Sequence, residues 1–473
     1  MVGRRMSCEN GWSKPPAPRT VRALVLVLFC GAVALFGAVQ ASAQAWWDDV
    51  ENGRPVPSIA SSLPHNGDPG GLRKRLAERG IVYGLEYTND VLSNVRGGTR
   101  TGTIDHGKLH GILTADLQKL MGLTGLSFFA NVFQIHNTGR MRRDYVGGLN
   151  TIAAIEAVPT TRLSELWLEQ KLFDGKASVR FGQLAADAEF FFSELSTLFL
   201  QSDWPTIAAV NLPSGGAAYP LSTPGVRLKF DPTKEISLLL AVLNGDPAGP
   251  GPGDEQLRNR YGLDFRVKDP PFIIGEAQWS INQGKHDTGL ARVLKLGAWT
   301  HVGKFSDQRL ANDGSLLANP LGSGVPLQHR GNNGLYAVID QQLYRLRNGG
   351  PDSGISVFSR MSISPSDRNL VSAYIDGGIV FAGLVPGRPD DKFGASAIYA
   401  RFSDKARAFD LDTVALTGVQ TPIRDFEANL ELTYQAQVVP GWTLQPVLTR
   451  VWHPSGDASR NALVAGLRSL WRY

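Results

Sequence analysis

The stretch "LSELWLEQK" sets Glu165, Trp167, Glu169 and Lys171 at every second position, with Leu166 and Leu168 between them and Leu172 next. In an extended chain this spacing puts two carboxylates, an indole and an ammonium on one face and the leucines on the other. Carboxylate and ammonium groups exchange hydrogen bonds with hydroxyls, and an indole offers a flat apolar surface. Such a face suits a solute that carries hydroxyls and C–H faces together. The other reading is that Trp167 packs against an infolded loop. Arg180 in "SVRFG", Arg227 and Lys229 in "GVRLKF", Asp264 and Arg266 in "NRYGLDFRV", Arg360 and Arg468 add charges of the same orientation. They serve either as solute contacts or as an ion-pair ladder along a wall. "ADAEFFFSELSTLFLQSDWP" is too aromatic for a loop that stays in water. It is expected to fold inward and narrow a channel, with Glu189 and Glu194 facing the solute and Phe190 to Phe192 packing.

Catalytic chemistry finds little support. "WHPSGD" brings His453, Ser455 and Asp457 close in sequence, but its Pro and Gly are explained by a turn. No histidine pair has metal-ligand spacing and no GxxxxGK[ST] phosphate loop occurs. The expectation is a protein that is not an enzyme, with no metal and no cofactor.

The elements that would position these side chains read as strands. "IVYGLEYTND" puts Ile81, Tyr83, Leu85 and Tyr87 opposite Glu86, Thr88 and Asp90. "NRYGLDFRV" sets Tyr261, Leu263, Phe265 and Val267 against Arg260, Asp264 and Arg266, and "FEANLELTYQAQV" alternates over its whole length. Segments of about ten residues with period-two polarity, separated by turn residues, are the pattern of a transmembrane β-barrel whose polar face lines a water-filled lumen. Beyond Gly80 no apolar run is long enough to span a bilayer as a helix. The closing "NALVAGLRSLWRY" alternates likewise, and its exposed Trp471 and Tyr473 need lipid or another strand to cover them.

Turn lengths also alternate. "FDGK", "DPTKE", "DPP" and "VPG" are tight, whereas Leu92 to Leu109, Asn137 to Leu163 and Leu184 to Pro224 read as long loops. About seventeen candidate strands emerge, and single-chain bacterial barrels require an even number. The surplus strand is expected between Arg258 and Gly334. Sixteen or eighteen strands would leave an open aqueous channel.

At the other end, Arg4, Arg5, Lys14, Arg19 and Arg22 precede the apolar run "ALVLVLFCGAVALFGAV" and Ala41-Ser42-Ala43, the make-up of a cleaved secretory signal covering residues 1–43. Its removal lowers the formal charge from +5 to +1 and takes away Cys8 and Cys30, the two cysteines. The mature chain then has no disulfide framework and no basic excess that would suggest a nucleic-acid partner. Residues 44–80 read as an irregular periplasmic segment in which "DPGGLRKRLAERG" forms a short helix carrying Leu72 and Leu76, and 81–473 as the barrel.

"YGLEYTNDVLSNVRGG", "TRLSELWLEQKLFDGKASVRFGQLAADAEFF", "LPSGGAAYPLSTPGVRL", "AVLNGDP" and "LQPVLTRVWHPSG…ALVAGLRSLWRY" together resemble, in the same order, the carbohydrate-selective porin family OprB of bacterial outer membranes. The resemblance implies an all-β fold, a sixteen-stranded barrel in the outer membrane that passes monosaccharides passively, glucose being the usual substrate. A general porin or a plugged structural barrel is the alternative, and a homo-oligomer is compatible with the pattern. The inward assignments depend on register, since a one-residue slip exchanges the two faces. Gly182 is the position where a bulge would bring Gln183 into the lumen.

Overall fold

Period-two alternation persists through sixteen strands, each antiparallel to the next, and the last pairs with the first to close a barrel. In chain order these are β1 (Ile81–Gly97), β2 (Gly102–Asp116), β3 (Leu126–Asn137), β4 (Thr160–Leu172), β5 (Ala177–Leu184), β6 (Thr223–Phe230), β7 (Ile236–Leu243) and β8 (Phe272–Ile281). They are followed by β9 (Arg292–Ala311), β10 (Pro326–Tyr344), β11 (Gly354–Ile363), β12 (Val371–Ala382), β13 (Lys392–Phe402), β14 (Phe426–Val439), β15 (Trp442–Trp452) and β16 (Asn461–Arg472). The computed structural model describes residues 50–473 apart from 52, 285 and 286, so the expected leader lies outside the described residues.

Closure gives every strand a hydrogen-bonded neighbour on each side, which is what a sheet in lipid requires. Its seam is the β16–β1 ladder, where Arg468 stands opposite Asp90 and Trp471 opposite Tyr87. On the outer face Leu85, Val91, Leu113, Leu296, Met361, Leu432 and Leu467 are exposed, while Glu86, Asp90, Glu427 and Glu431 on the alternate positions are buried inside. An apolar exterior around a charged interior is the inverse of a soluble sandwich and matches a lipid-facing wall. Among the described residues no helix is long and apolar enough to cross a membrane.

Tight connections (173–176, 231–235, 440–441) gather at one end and long ones (138–159, 185–222, 244–271, 403–425) at the other. In outer-membrane barrels these are the periplasmic and extracellular ends respectively.

Three expectations need correction. Leu92 to Leu109 is not a long loop: β1 and β2 run through it and only 98–101 connects them. The Gly residues that suggested a loop serve a hairpin turn, with Gly97 and Gly98 at positive φ of 74° and 68°. "NRYGLDFRV" is not a barrel strand but part of the 244–271 connection, so Asp264 and Arg266 lie outside the lumen wall and "DPP" ends a long connection. This is the surplus strand, and it falls within the expected Arg258 to Gly334 interval. Gly182 carries no bulge: Trp167 pairs with Gly182 and Leu166 with Gln183 in continuous register. The irregularity is one strand away, where Ser164 and Glu165 together face Asn131.

Ahead of β1 the helix Leu72–Glu78 presents Arg73, not Leu72, to the barrel: Arg73 is buried and Leu72 exposed. The Arg73 guanidinium lies 4.5 Å from the ring of Tyr83 and 4.6 Å from that of Tyr473. It donates to the carbonyl oxygens of both residues at 3.0 Å.

Candidate functional site

The interior is organised by the connection 185–222, which leaves β5 and crosses the lumen. Its path is held by carboxylates on the far wall that accept its backbone N–H groups. Glu276 of β8 accepts from Phe191 (3.1 Å), Asp340 of β10 from Glu194 (3.0 Å), and Glu431 of β14 from Leu200 (2.8 Å) and Gln201 (2.9 Å). Glu427 of β14 holds the 138–159 connection in the same manner, accepting from Leu149 (2.8 Å) and Asn150 (2.6 Å). A carboxyl group presents two acceptor oxygens, so each anchor can satisfy several otherwise orphaned donors. The aromatic run packs as expected. Phe190 and Phe191 are buried, and Phe191 stacks on Tyr336 with centroids 3.6 Å apart.

At the root of this loop, five of the expected residues meet. Glu169 of β4 pairs with Arg180 of β5 at 2.8 Å and with Arg227 of β6 at 3.3 Å. Glu189, from the loop, reaches Arg227 at 2.8 Å and Arg180 at 3.5 Å. Across β4 to β6 these two acids and two bases form a closed alternating square, which offsets the desolvation that an isolated pair would suffer. Arg227 is 2% exposed and also donates to Ser178 Oγ at 2.8 Å, whereas the side chains of Arg180 and Glu189 keep 16% and 22% exposure to the lumen. Trp167 lies beneath: one face stacks on Phe129 at 4.7 Å and the other is covered by the Arg180 guanidinium at 3.8 Å. Both faces are occupied, so the indole acts as a shelf for Arg180.

The remaining expected residues lie elsewhere. Glu165 is buried under the loop root, accepting from Ala185 N at 3.3 Å. Glu194 is exposed within the lumen, away from the square. Arg360 of β11 is a buried partner of Asp376 of β12 (2.6 Å) and donates to the Asp203 carbonyl at 3.0 Å, pinning the loop. Arg468 forks onto Asp90 at 2.7 and 2.8 Å and ties the seam. Arg266 pairs with Asp269 at 2.7 Å in the 244–271 connection, outside the lumen. Lys229 pairs with Asp231 at 3.4 Å.

A second polar group was not anticipated. Lys108 of β2 sets its Nζ 5.2 Å from the Phe133 ring and 5.1 Å from Tyr219. Tyr219 donates its N–H to Asp187 at 2.7 Å and its hydroxyl to Ile155 O at 3.0 Å. Burial pushes the loop carboxyl of Asp187 up to about 6. Burial, with Asp187 nearby, pushes Asp203 up to about 7. "HGKLHG" did hold a period-two signal, with His106, Lys108 and His110 on one face, but the misread loop concealed it. The placement of Asp187, Asp203 and Tyr219 depends on the loop path, for which no local signal exists.

The residues of "WHPSGD" do not form a triad. Ser455 Oγ donates to Gly147 O at 2.8 Å and His453 Nδ1 meets Asp425 at 2.9 Å. Among the described residues no cluster of His, Cys, Asp and Glu could hold a metal ion.

Comparison with known proteins agrees with the geometry. Residues 101–473 match the model of the carbohydrate-selective porin, OprB family. The chain is 26% identical over 426 residues to Porin B of Pseudomonas aeruginosa, covering 85% of this chain and 89% of that one. Its fold superposes on the high-pH structure of Pseudomonas putida OprB with a TM-score of 0.76 at 22% identity, covering 85% and 97% of the two chains. On the low-pH structure of the same protein the TM-score is 0.51 at 19% identity, covering 86% and 97%. A closed sixteen-stranded barrel with an apolar outside, a charged lumen narrowed by its own loop and a family match over most of its length make this chain a member of the OprB family of carbohydrate-selective porins of the bacterial outer membrane.

Proposed function

We propose that the protein conducts monosaccharides such as glucose passively into the periplasm, and that the constriction between the Glu169–Arg180–Glu189–Arg227 square and the 185–222 loop sets the preference. What supports this reading most is the pairing state of the square. Every charge in it is met by an opposite one, so the narrow point offers many hydrogen-bonding groups but little net field. A neutral polyol exchanges its hydration for such groups, whereas an ion finds no compensating charge. Within the square, Arg180 and Glu189 are the sugar-facing members, and Glu169 and the more deeply buried Arg227 position them. Trp167 supports Arg180 from below. Lys108 and Tyr219 supply the cation and aromatic edge of the second group. Binding is weak, because a site that retained the solute would block conduction.

The test is swelling of liposomes containing the refolded protein, with glucose, a neutral amino acid of similar size and a disaccharide compared. Faster entry of glucose than of both others supports the proposal. Equal entry of the two small solutes makes the barrel a general pore, and no entry makes it a plugged one.

A further inference from the structure

The barrel wall is uneven. Strands β5, β6 and β7 have eight residues each, against nine to eleven needed to cross the apolar layer as tilted strands. β5 ends at Leu184 because the chain turns inward there, and β4 above Leu166 has no strand partner on that side. An unpaired edge at that depth would leave its N–H groups unsatisfied in lipid.

The segment Asn259 to Asp269 closes this gap. Tyr261 O accepts from Leu163 N at 3.0 Å and Arg260 O from Thr160 Oγ1 at 3.0 Å, so the segment stands in for the missing neighbour of β4. Gly262 O accepts from Gln183 Nε2 at 2.9 Å at the top of β5. Farther on, Asp269 N donates to Asn244 Oδ1 at 2.9 Å just beyond β7. The approach to β4 requires glycine: a Cβ on Gly262, whose φ is +68°, would lie 1.8 Å from Leu163 O. Leu163 is the tenth residue counted from Leu172 at the short-turn end of β4, which sets this contact at the outer margin of the apolar layer.

The segment turns at Asn259 to Gly262 and is irregular beyond it, with Arg266 N donating to Asp264 O at 3.0 Å, yet Tyr261, Leu263, Phe265 and Val267 are all left on the surface, 58%, 62%, 46% and 78% exposed. Between them, Arg266 turns back to Asp269. The apolar row continues upward from the outward residues of the short strands, Phe181, Val226, Leu228 and Val242. We propose that this segment is a strap inserted among the acyl chains of the outer leaflet, completing the apolar belt where the infolding loop has shortened the wall. The occupant of the row is lipid because its four apolar side chains continue the lipid-facing surface at the outer margin of the apolar layer, where the segment's exposed charges, Arg260, Asp264 and Lys268, reach the headgroups.

The test uses the full chain with Cys8 and Cys30 changed to serine, and nitroxide labels on Leu263→Cys and, separately, Phe265→Cys. Leu467→Cys on β16 is the lipid reference, and Leu321→Cys, 95% exposed in the 312–325 connection, is the water reference. Collision with dissolved oxygen and with a water-soluble nickel chelate is measured in phosphatidylcholine vesicles. Folding of each variant is verified from its unheated gel mobility. The expected result is nickel accessibility several-fold below that of Leu321→Cys with oxygen accessibility matching Leu467→Cys. High nickel accessibility would make the segment a water-exposed loop and overturn the proposal. Low accessibility to both probes with spin–spin broadening would overturn it in favour of a contact between copies of the chain. Either label position suffices if the other variant does not fold.

Discussion

The guanidinium of Arg180 lies flat on the indole of Trp167 at 3.8 Å, and the opposite face of that indole is already stacked on Phe129. The aromatic ring therefore orients a charge that keeps part of its surface open to the lumen. Replacing Arg180 by Ala breaks its pairs with Glu169 and Glu189 and leaves two carboxylates facing one remaining base. Loss of one charge-assisted hydrogen bond to the sugar, about 1.5 kcal/mol, lowers the preference for glucose over a neutral amino acid by roughly tenfold. The pore also becomes more cation-selective. Trp167→Phe keeps the shelf and much of the preference, whereas Trp167→Ala does not. Swelling rates and reversal potentials of these three variants check both statements, and an unchanged Arg180→Ala pore would remove Arg180 from the selective site.

The loop anchors make a different prediction. Glu431→Gln leaves one amide oxygen and one NH2 group where two carboxyl oxygens received the Leu200 and Gln201 N–H groups. Leaving one of these buried N–H donors without an acceptor costs about 1 to 3 kcal/mol of loop docking. The expected outcome in single-channel recordings is a noisier open state with a higher mean conductance, with the barrel itself still folded. A quiet, unaltered channel would show that the other anchors suffice.

Acidity should act through the loop carboxyls. Asp187 and Asp203 titrate near 6 and 7, so between pH 5 and 8 each passes from neutral to negative. Cation selectivity therefore rises with pH over that window, while glucose flux changes little because glucose is neutral. Both values lie above the ordinary aspartate value of about 3.9, so folding favours the protonated form. Their contribution to loop docking is complete below about pH 4 and is lost as pH rises through 6 to 7. The positive charges of Lys108 near Asp187, and of Arg142 and Arg360 near Asp203, oppose the rise. Reversal potentials in a salt gradient, with Asp203→Asn as the variant that flattens the curve, test this sign.

The seam latch gives a fourth prediction. Arg73 bridges the rings and carbonyl oxygens of Tyr83 and Tyr473, and the Tyr473 hydroxyl donates to Gly67 O at 2.6 Å. Cation–π contacts of desolvated guanidinium groups contribute about 2 kcal/mol. Arg73→Ala should lower the temperature at which the folded band is lost on a gel, while solute permeation stays as it was. Unchanged heat resistance would make the N-terminal helix a bystander.

The fold was legible because a barrel in lipid enforces a two-residue period on every strand, and "FEANLELTYQAQV" states it over thirteen residues. Misreadings arose where local chemistry served another purpose. Gly97 and Gly98 mark a tight hairpin, not a long loop, and the real alternation of Tyr261 to Val267 belongs to a chain that pairs with a strand edge from outside the sheet order. The site was legible in halves. Trp167, Glu169, Arg180, Glu189 and Arg227 announce themselves because β4 from Leu166 onward and β6 are regular and Arg180 precedes the loop. Lys108, Asp187, Asp203 and Tyr219 come together only through the course of the loop across the lumen, which is decided by partners about a hundred to two hundred and fifty residues away.

Those distant partners have a consequence for anyone wishing to transplant the selectivity of this channel. The docked shape of segment 185–222 is written in Glu276, Asp340, Arg360 and Glu431 as much as in the segment itself. Grafted alone onto another barrel, the segment would arrive without its moulds; moved together with those receiving side chains, it carries its shape with it.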